Sequence, residues 1–191
     1  MIILYAGLVL FFAVHFFSTF RSRSPGEDIK ARLGENKYMG LYSIVSAIGI
    51  GLIVWGYKQA GIGEQLVAPI ADGRTISGVL MLFAFVLVVA AQMPAGYIKK
   101  LLRHPMLIGV CLWSISHLIN GASYKHFLLF GSFLIYSVID MLVASRRESA
   151  TVTGTSPSVK YDVVAIVIGC ITYTVVVLHV HDGISDLLVF W

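Results

Sequence analysis

Three histidines of this chain, His15, His104 and His117, stand within or at the edges of long apolar runs. A neutral imidazole carries a proton on one ring nitrogen and a lone pair on the other, so it can donate, accept, or ligate a metal. His117 lies within one of these runs, "RHPMLIGVCLWSISHLINGAS", residues 103–123. Ser114, Asn120 and Gly121 lie at i−3, i+3 and i+4 from it, a stripe that should face the interior of a helical bundle. His15 shares its helical face with Phe11, Phe12, Ser18 and Thr19. His104 precedes Pro105, a residue suited to open a helix because it has no N–H to satisfy.

His104 and His117 are thirteen residues apart, roughly 220° around a helix, so they cannot chelate as a pair. Each needs a partner from another helix, and imidazoles supplied by separate helices are a recurring way to hold haem iron in a bundle. His126 and His181 fall near span ends, where ordinary hydrogen bonds are the expectation. In "HVHD", His179 and His181 at i and i+2 point apart on a helix and make a poor metal pair. Asp140 is expected to pair with Arg146 or Arg147 as these reach for the interface. No span carries a nucleophile–base or carboxylate pair, so any substrate would be apolar and membrane-dissolved.

The elements that position these groups follow from composition. Of 191 residues, 58% are hydrophobic and 13% charged, against about 25% charged in soluble domains. The mean hydropathy is +0.85. Such a chain is a membrane protein: an all-α polytopic bundle in a lipid bilayer, one domain over residues 1–191. Six spans are expected, at Ile2–Phe20, Met39–Tyr57, Ile76–Gly96, Pro105–Gly121, His126–Ser145 and Tyr161–Val180. Each approaches the ~20 residues that cross a ~30 Å hydrocarbon layer. Helices are required there, because an open chain in lipid must pair its backbone internally. The first span has no basic leader and no small-residue cleavage site, and reads as a retained helix. Ser43, Ala47 and Gly51 form a small-residue stripe expected to seat a neighbouring helix. Trp55, Tyr57 and Tyr97 are expected at the interface, and Cys111 and Cys170 as buried thiols. Residues 146–160 read as a turn-rich loop. No basic patch carries aromatic platforms, which argues against a nucleic-acid partner.

Two stretches, "ARLGENKYMGLYSIVSAIGIGLIVWGY" and "RHPMLIGVCLWSISHLINGASYKHFLLFGSF", resemble the NnrU family of bacterial membrane proteins. That resemblance implies a multi-pass protein of the bacterial inner membrane with a link to denitrification, that is, nitrite and nitric-oxide reduction. The family shares its domain with zeta-carotene isomerases of plants and cyanobacteria, which hold haem b through histidines. By motif it implies haem b as cofactor and His15, His104 and His117 as cofactor-binding residues, with His15 and His117 as the iron ligands. Ser114 stands where the isomerases carry a cysteine, so isomerase activity is not implied. The tail "DGISDLLVFW" departs from the family's turn after the last histidine. Isoprenylcysteine-type membrane methyltransferases are similar in their Arg-His-Pro followed by a glycine, here Gly109, but their later acidic residues are missing apart from Glu148. A small permease or an assembly factor without cofactor is the other alternative.

Depth gives a separate expectation. At ~1.5 Å per residue, His15 lies about 9 Å and His117 about 21 Å from the cytoplasmic edge, so level matching favours His15 with His104, or His117 with His179. The resemblance still ranks His15 and His117 first. Orientation rests on charge: eleven Lys and Arg (Arg21, Arg23, Lys30, Arg32, Lys37, Lys99, Lys100, Arg103, Arg146, Arg147, Lys160) fall in odd loops, and three (Lys58, Arg74, Lys125) in even ones. The positive-inside bias then places the odd loops in the cytoplasm and both termini outside. Reporter fusions after residue 30 and after residue 191 should therefore read cytoplasmic and external respectively; the reverse pattern would refute the orientation.

Overall fold

The computed structural model describes residues 1–24, 26–148 and 156–180. These form α1 (Ile2–Phe20), α2 (Ile29–Leu33), α3 (Glu35–Gln59), β1 (Gln65–Val67), α4 (Gly73–Gln92), α5 (Tyr97–Leu102), α6 (Pro105–Leu118), β2 (Ala122–Ser123), α7 (Tyr124–Glu148) and α8 (Val159–Val175). A π-helical turn, Val176–Val180, continues α8. Five helices, α1, α3, α4, α7 and α8, are long and apolar enough to cross a membrane. The fourth expected span, Pro105–Gly121, is shorter than anticipated: α6 has 14 residues, about 21 Å at 1.5 Å per residue. It ends early because Gly121 takes φ +96° and the chain turns into β2. Glu148, expected in a loop, is the last residue of α7; residues 149–155 of that loop, with His181 and the last ten residues, lie outside the described residues.

The chain divides into two compact units, Met1–Gly61 and Ile62–Trp191. In the first, α1 lies directly on α3 because glycine lets the two backbones meet. A Cβ on Gly7 would stand 2.6 Å from the Ile53 backbone nitrogen, and one on Gly49 3.0 Å from Phe11 Cα; Gly56 faces the Leu4 backbone just as closely. The seam on α3 is thus Gly49, Ile53 and Gly56, all buried. The expected stripe of Ser43, Ala47 and Gly51 is instead on the exposed face, and a Cβ on Gly51 would meet nothing. Residues four apart advance 40° past a full turn, so such a stripe drifts away from a contact that a seven-residue repeat keeps. Asp28 caps α2 by accepting from the Lys30 N–H at 2.9 Å and pairs with Arg21. The Arg21 guanidinium holds its carboxyl below the usual carboxylate range.

In the second unit, α4 contacts both α6 and α8, and α6 contacts α7. Glycines again set the spacing: Gly169 of α8 sits on Val86, and Gly109 of α6 on the Ala84 carbonyl of α4. The ends of these helices are tied by specific bonds. β1 pairs antiparallel with β2, Gln65 opposite Ser123, and Ile70 N–H donates to the Ile119 carbonyl at 3.0 Å. At the opposite end, the Asp162 carboxylate of α8 accepts the Tyr97 and Ile98 N–H groups at 2.8 and 3.0 Å, capping α5. Lys99 donates to the Ala91 and Met93 carbonyls that close α4, both at 2.9 Å. The four helices therefore alternate in direction, α6 included despite its length. Lys99, Lys100, Arg103, Arg146, Arg147 and Lys160 share one end; Arg74 and Lys125 share the other.

Two ring assignments divide. Trp55 and Tyr97 are about half exposed, at 52% and 53%, as interfacial rings should be, whereas Tyr57 is buried at 1%. Cys111 and Cys170 are free, and only half-buried, because their helices present so much surface to the outside. The glycine seam yields a paired expectation. Gly56→Val should destabilise the first unit by about 1–3 kcal/mol through overpacking, while Gly51→Val should be near neutral. Equal midpoints in denaturant for the two variants would show that the seam is misplaced.

Candidate functional site

His117 is the penultimate residue of α6. Its Nδ1–H donates to the Trp113 carbonyl one turn back, at 2.8 Å. A carbonyl can only accept, so this bond fixes the tautomer and leaves the lone pair on Nε2. The ring is stacked on Phe130 of α7, centroids 4.2 Å apart and 17° from parallel, with Trp113 at 5.3 Å. His126 also lies nearly parallel to Phe130, at 6.5 Å, with Nδ1 2.6 Å from the Ser123 hydroxyl. Phe130 is fully buried, so these packed rings restrict how His117 can turn.

Beside His117, α4, α6, α8 and the π-helical turn line a half-open cavity of about 440 Å³. Its lining includes Arg74, Ser77, Met81, Asn120, Tyr173 and Val176. That volume is within the usual range for a small-molecule site, and a π-turn in the wall is a feature often found at such sites. The floor is a closed hydrogen-bond network. Ser77 donates to the Ser116 carbonyl at 2.5 Å; Asn120 Nδ2 donates to Ser77 Oγ at 2.5 Å and to the Ser116 carbonyl at 3.0 Å. This network binds α4 to the end of α6.

The other candidates are placed as follows. His15 lies in α1, half-buried, with Nδ1 2.7 Å from the Phe11 carbonyl and its ring stacked on Phe11 at 3.9 Å. It thus has the same Nε2-lone-pair tautomer as His117. Thr19 donates back to the His15 carbonyl at 3.0 Å, and Tyr42 of α3 packs at 5.1 Å. Phe11 and Thr19 of the expected face touch His15 in this way. His104 instead engages Nε2, 2.9 Å from the Ser145 hydroxyl of α7. It caps the opposite end of α6 from His117, so one helix keeps the two apart, as the angular argument required. The His179 side chain lies outside the described residues.

Ser77, Ser116 and Tyr173 were not legible as site residues; lone hydroxyls in apolar helices give little signal until a partner helix is known. Lys125, read from sequence as a loop charge, is buried at 3% in the first turn of α7. Gly109, the methyltransferase-like glycine, is occupied in packing on α4. Among the described residues no three His, Cys, Asp or Glu side chains cluster as a metal site.

A family model described as NnrU protein matches residues 3–186. The chain belongs to the NnrU family. No curated protein and no solved structure matches it. The family match runs past His179 and His181 and takes in the first half of the divergent tail, to residue 186.

The network separates two buried serines. Ser77 serves as donor and acceptor, whereas Ser114 is fully buried and its hydroxyl has no partner among the described residues. Ser77→Ala should cost about 1–3 kcal/mol by stranding Asn120, and Ser114→Ala should be neutral or stabilising. Unfolding midpoints in one detergent would test this ordering, and the reverse order would refute the network.

Proposed function

We propose that this NnrU-family membrane protein binds haem b through its intramembrane histidines, with His117 and His15 as the residues that would hold the iron. The observation carrying this reading is the His117 tautomer. Its Nδ1–H is committed to a backbone carbonyl, its lone pair is on Nε2, and the ring borders a cavity of ligand size. Metal-ligating histidines are usually oriented by such a bond from the other ring nitrogen. His15 repeats the arrangement with Phe11. His104, whose Nε2 is engaged by Ser145, is better suited to hold α6 against α7 or to relay a proton at the helix edge.

Haem, when bound, supplies a redox-active iron. The protein's own residues orient the imidazoles, exclude water with Trp113, Phe130 and Phe133, and provide the cavity. The family likeness supports a role in denitrification from the bacterial inner membrane, as an assembly or regulatory factor or on a membrane-dissolved apolar molecule. The charge split, eleven to three, supports placing both termini outside.

The purified protein should show a Soret band, with split visible peaks on reduction. His117→Ala and His15→Ala should each abolish haem retention while the bundle stays folded, since each gives up a hydrogen bond to a carbonyl of its own helix, no more than the ~0.6–2 kcal/mol of a side-chain bond in lipid. His104→Ala should keep the spectrum, and His126→Ala and His181→Ala should be nearly silent. Loss of haem in His104→Ala but not in His117→Ala would move the ligand assignment to His104. A colourless, metal-free protein that binds S-adenosylmethionine would replace haem binding by methyl transfer.

A further inference from the structure

The cavity beside His117 has several polar lining residues, but its uncommitted side-chain donors lie together on one part of the wall. Asn120 spends both amide hydrogens on Ser77 and the Ser116 carbonyl, and Ser77 spends its own on the same carbonyl. The donors left on the wall are the Arg74 guanidinium and the Tyr173 hydroxyl. Neither has a hydrogen bond or ion pair among the described residues. They converge on one strip of α4: the Tyr173 hydroxyl lies 3.3 Å from where a Cβ on Gly78 would stand, and Gly78 is one turn after Arg74. Further along the same strip the lining turns apolar at Met81 of α4, while Val176 and Val177 of the π-turn, which runs back toward the Arg74 end, line the facing wall.

We infer that this cavity binds an apolar molecule bearing a carboxylate, with the acid group on Arg74 and Tyr173 and the apolar body toward Met81, flanked by Val176 and Val177. A guanidinium offers paired N–H groups that match the two oxygens of a carboxylate, and a phenol adds a third donor. Arg74 sits at the exposed end of α4 and Met81 two turns deeper, so the ligand's polar end faces water and its apolar end faces the bundle. Two sources share this chemistry. One is a haem propionate, which rests on the haem reading above; the other is a long-chain fatty acid drawn from the bilayer.

Titration of the full-length protein in detergent with haemin and haemin dimethyl ester, and with cis-parinaric acid and its methyl ester, distinguishes them. On the wild-type protein alone, the acid form should bind about tenfold or more tighter than its ester, the loss expected for one charge-assisted contact. Arg74→Gln should remove that preference, Arg74→Lys should restore part of it, and Tyr173→Phe should weaken the acid form only. If haemin follows this pattern with a Soret shift, the site takes a haem propionate. If parinaric acid follows it and no haem is retained, the site stands as a fatty-acid site and the haem reading fails. Acid and ester binding alike on the wild-type protein, or neither probe binding, overturns the proposal.

Discussion

Inside an apolar layer a side-chain hydrogen must go to a neighbour, and on a helix the nearest acceptor is the carbonyl one turn back. The chain uses this solution repeatedly. His15 donates to Phe11, Thr19 to His15, His117 to Trp113, Ser132 to Leu128, Thr172 to Ile168 and Thr174 to Cys170. For serine and threonine the bond merely hides a hydroxyl. For histidine it also chooses the tautomer and so decides which nitrogen carries a lone pair. The chemical potential of His15 and His117 is thus set by a local rule of membrane helices before any tertiary contact is made.

Helix packing obeys the complementary rule. Lipid is as apolar as leucine, so burying leucine against leucine gains little, and close backbone approach supplies the attraction instead. Gly7, Gly49 and Gly56 provide it in the first unit, Gly109 and Gly169 in the second. Many large aliphatic side chains, such as Val163, Ile166 and Leu142, consequently remain on the outside. The few strong polar ties are kept at the helix ends, where Asp162 caps α5 and Lys99 closes α4. An end-tied, glycine-spaced bundle leaves its interior free to hold a cavity, and the one beside His117 lies near the end closed by the β1–β2 pair.

The Arg103–His104–Pro105 run shows how such an end is built. Arg103 takes φ +59°, and the His104 N–H reaches the Leu102 carbonyl at 2.6 Å, a γ-turn of the uncommon positive-φ kind. Pro105 then starts α6 without an orphan donor. The turn reverses the chain between α5 and α6 and presents His104 to Ser145, so its imidazole serves the joint between α6 and α7.

The sequence by itself determined the membrane class, the start of α1 and its end at Phe20, the helical face of His15 and the separation of His104 from His117. Hydropathy, the 3.6-residue period and proline's missing N–H are local properties, and they need no partner to be read. Within the second unit, the sharing of helix ends by like loops was also anticipated, since charge in loops answers to the membrane rather than to the fold. Only the tertiary structure decided which glycines form the α1–α3 seam, because Gly51 and Gly56 are alike until a facing backbone distinguishes them. It decided that α6 stops at Leu118, a consequence of β2 pairing with a strand more than fifty residues earlier. It also decided that Ser77 and Tyr173, single hydroxyls on separate helices, meet His117 around one cavity. Contacts between distant segments depend on the register of whole helices, and that register leaves no mark on the period of any one of them.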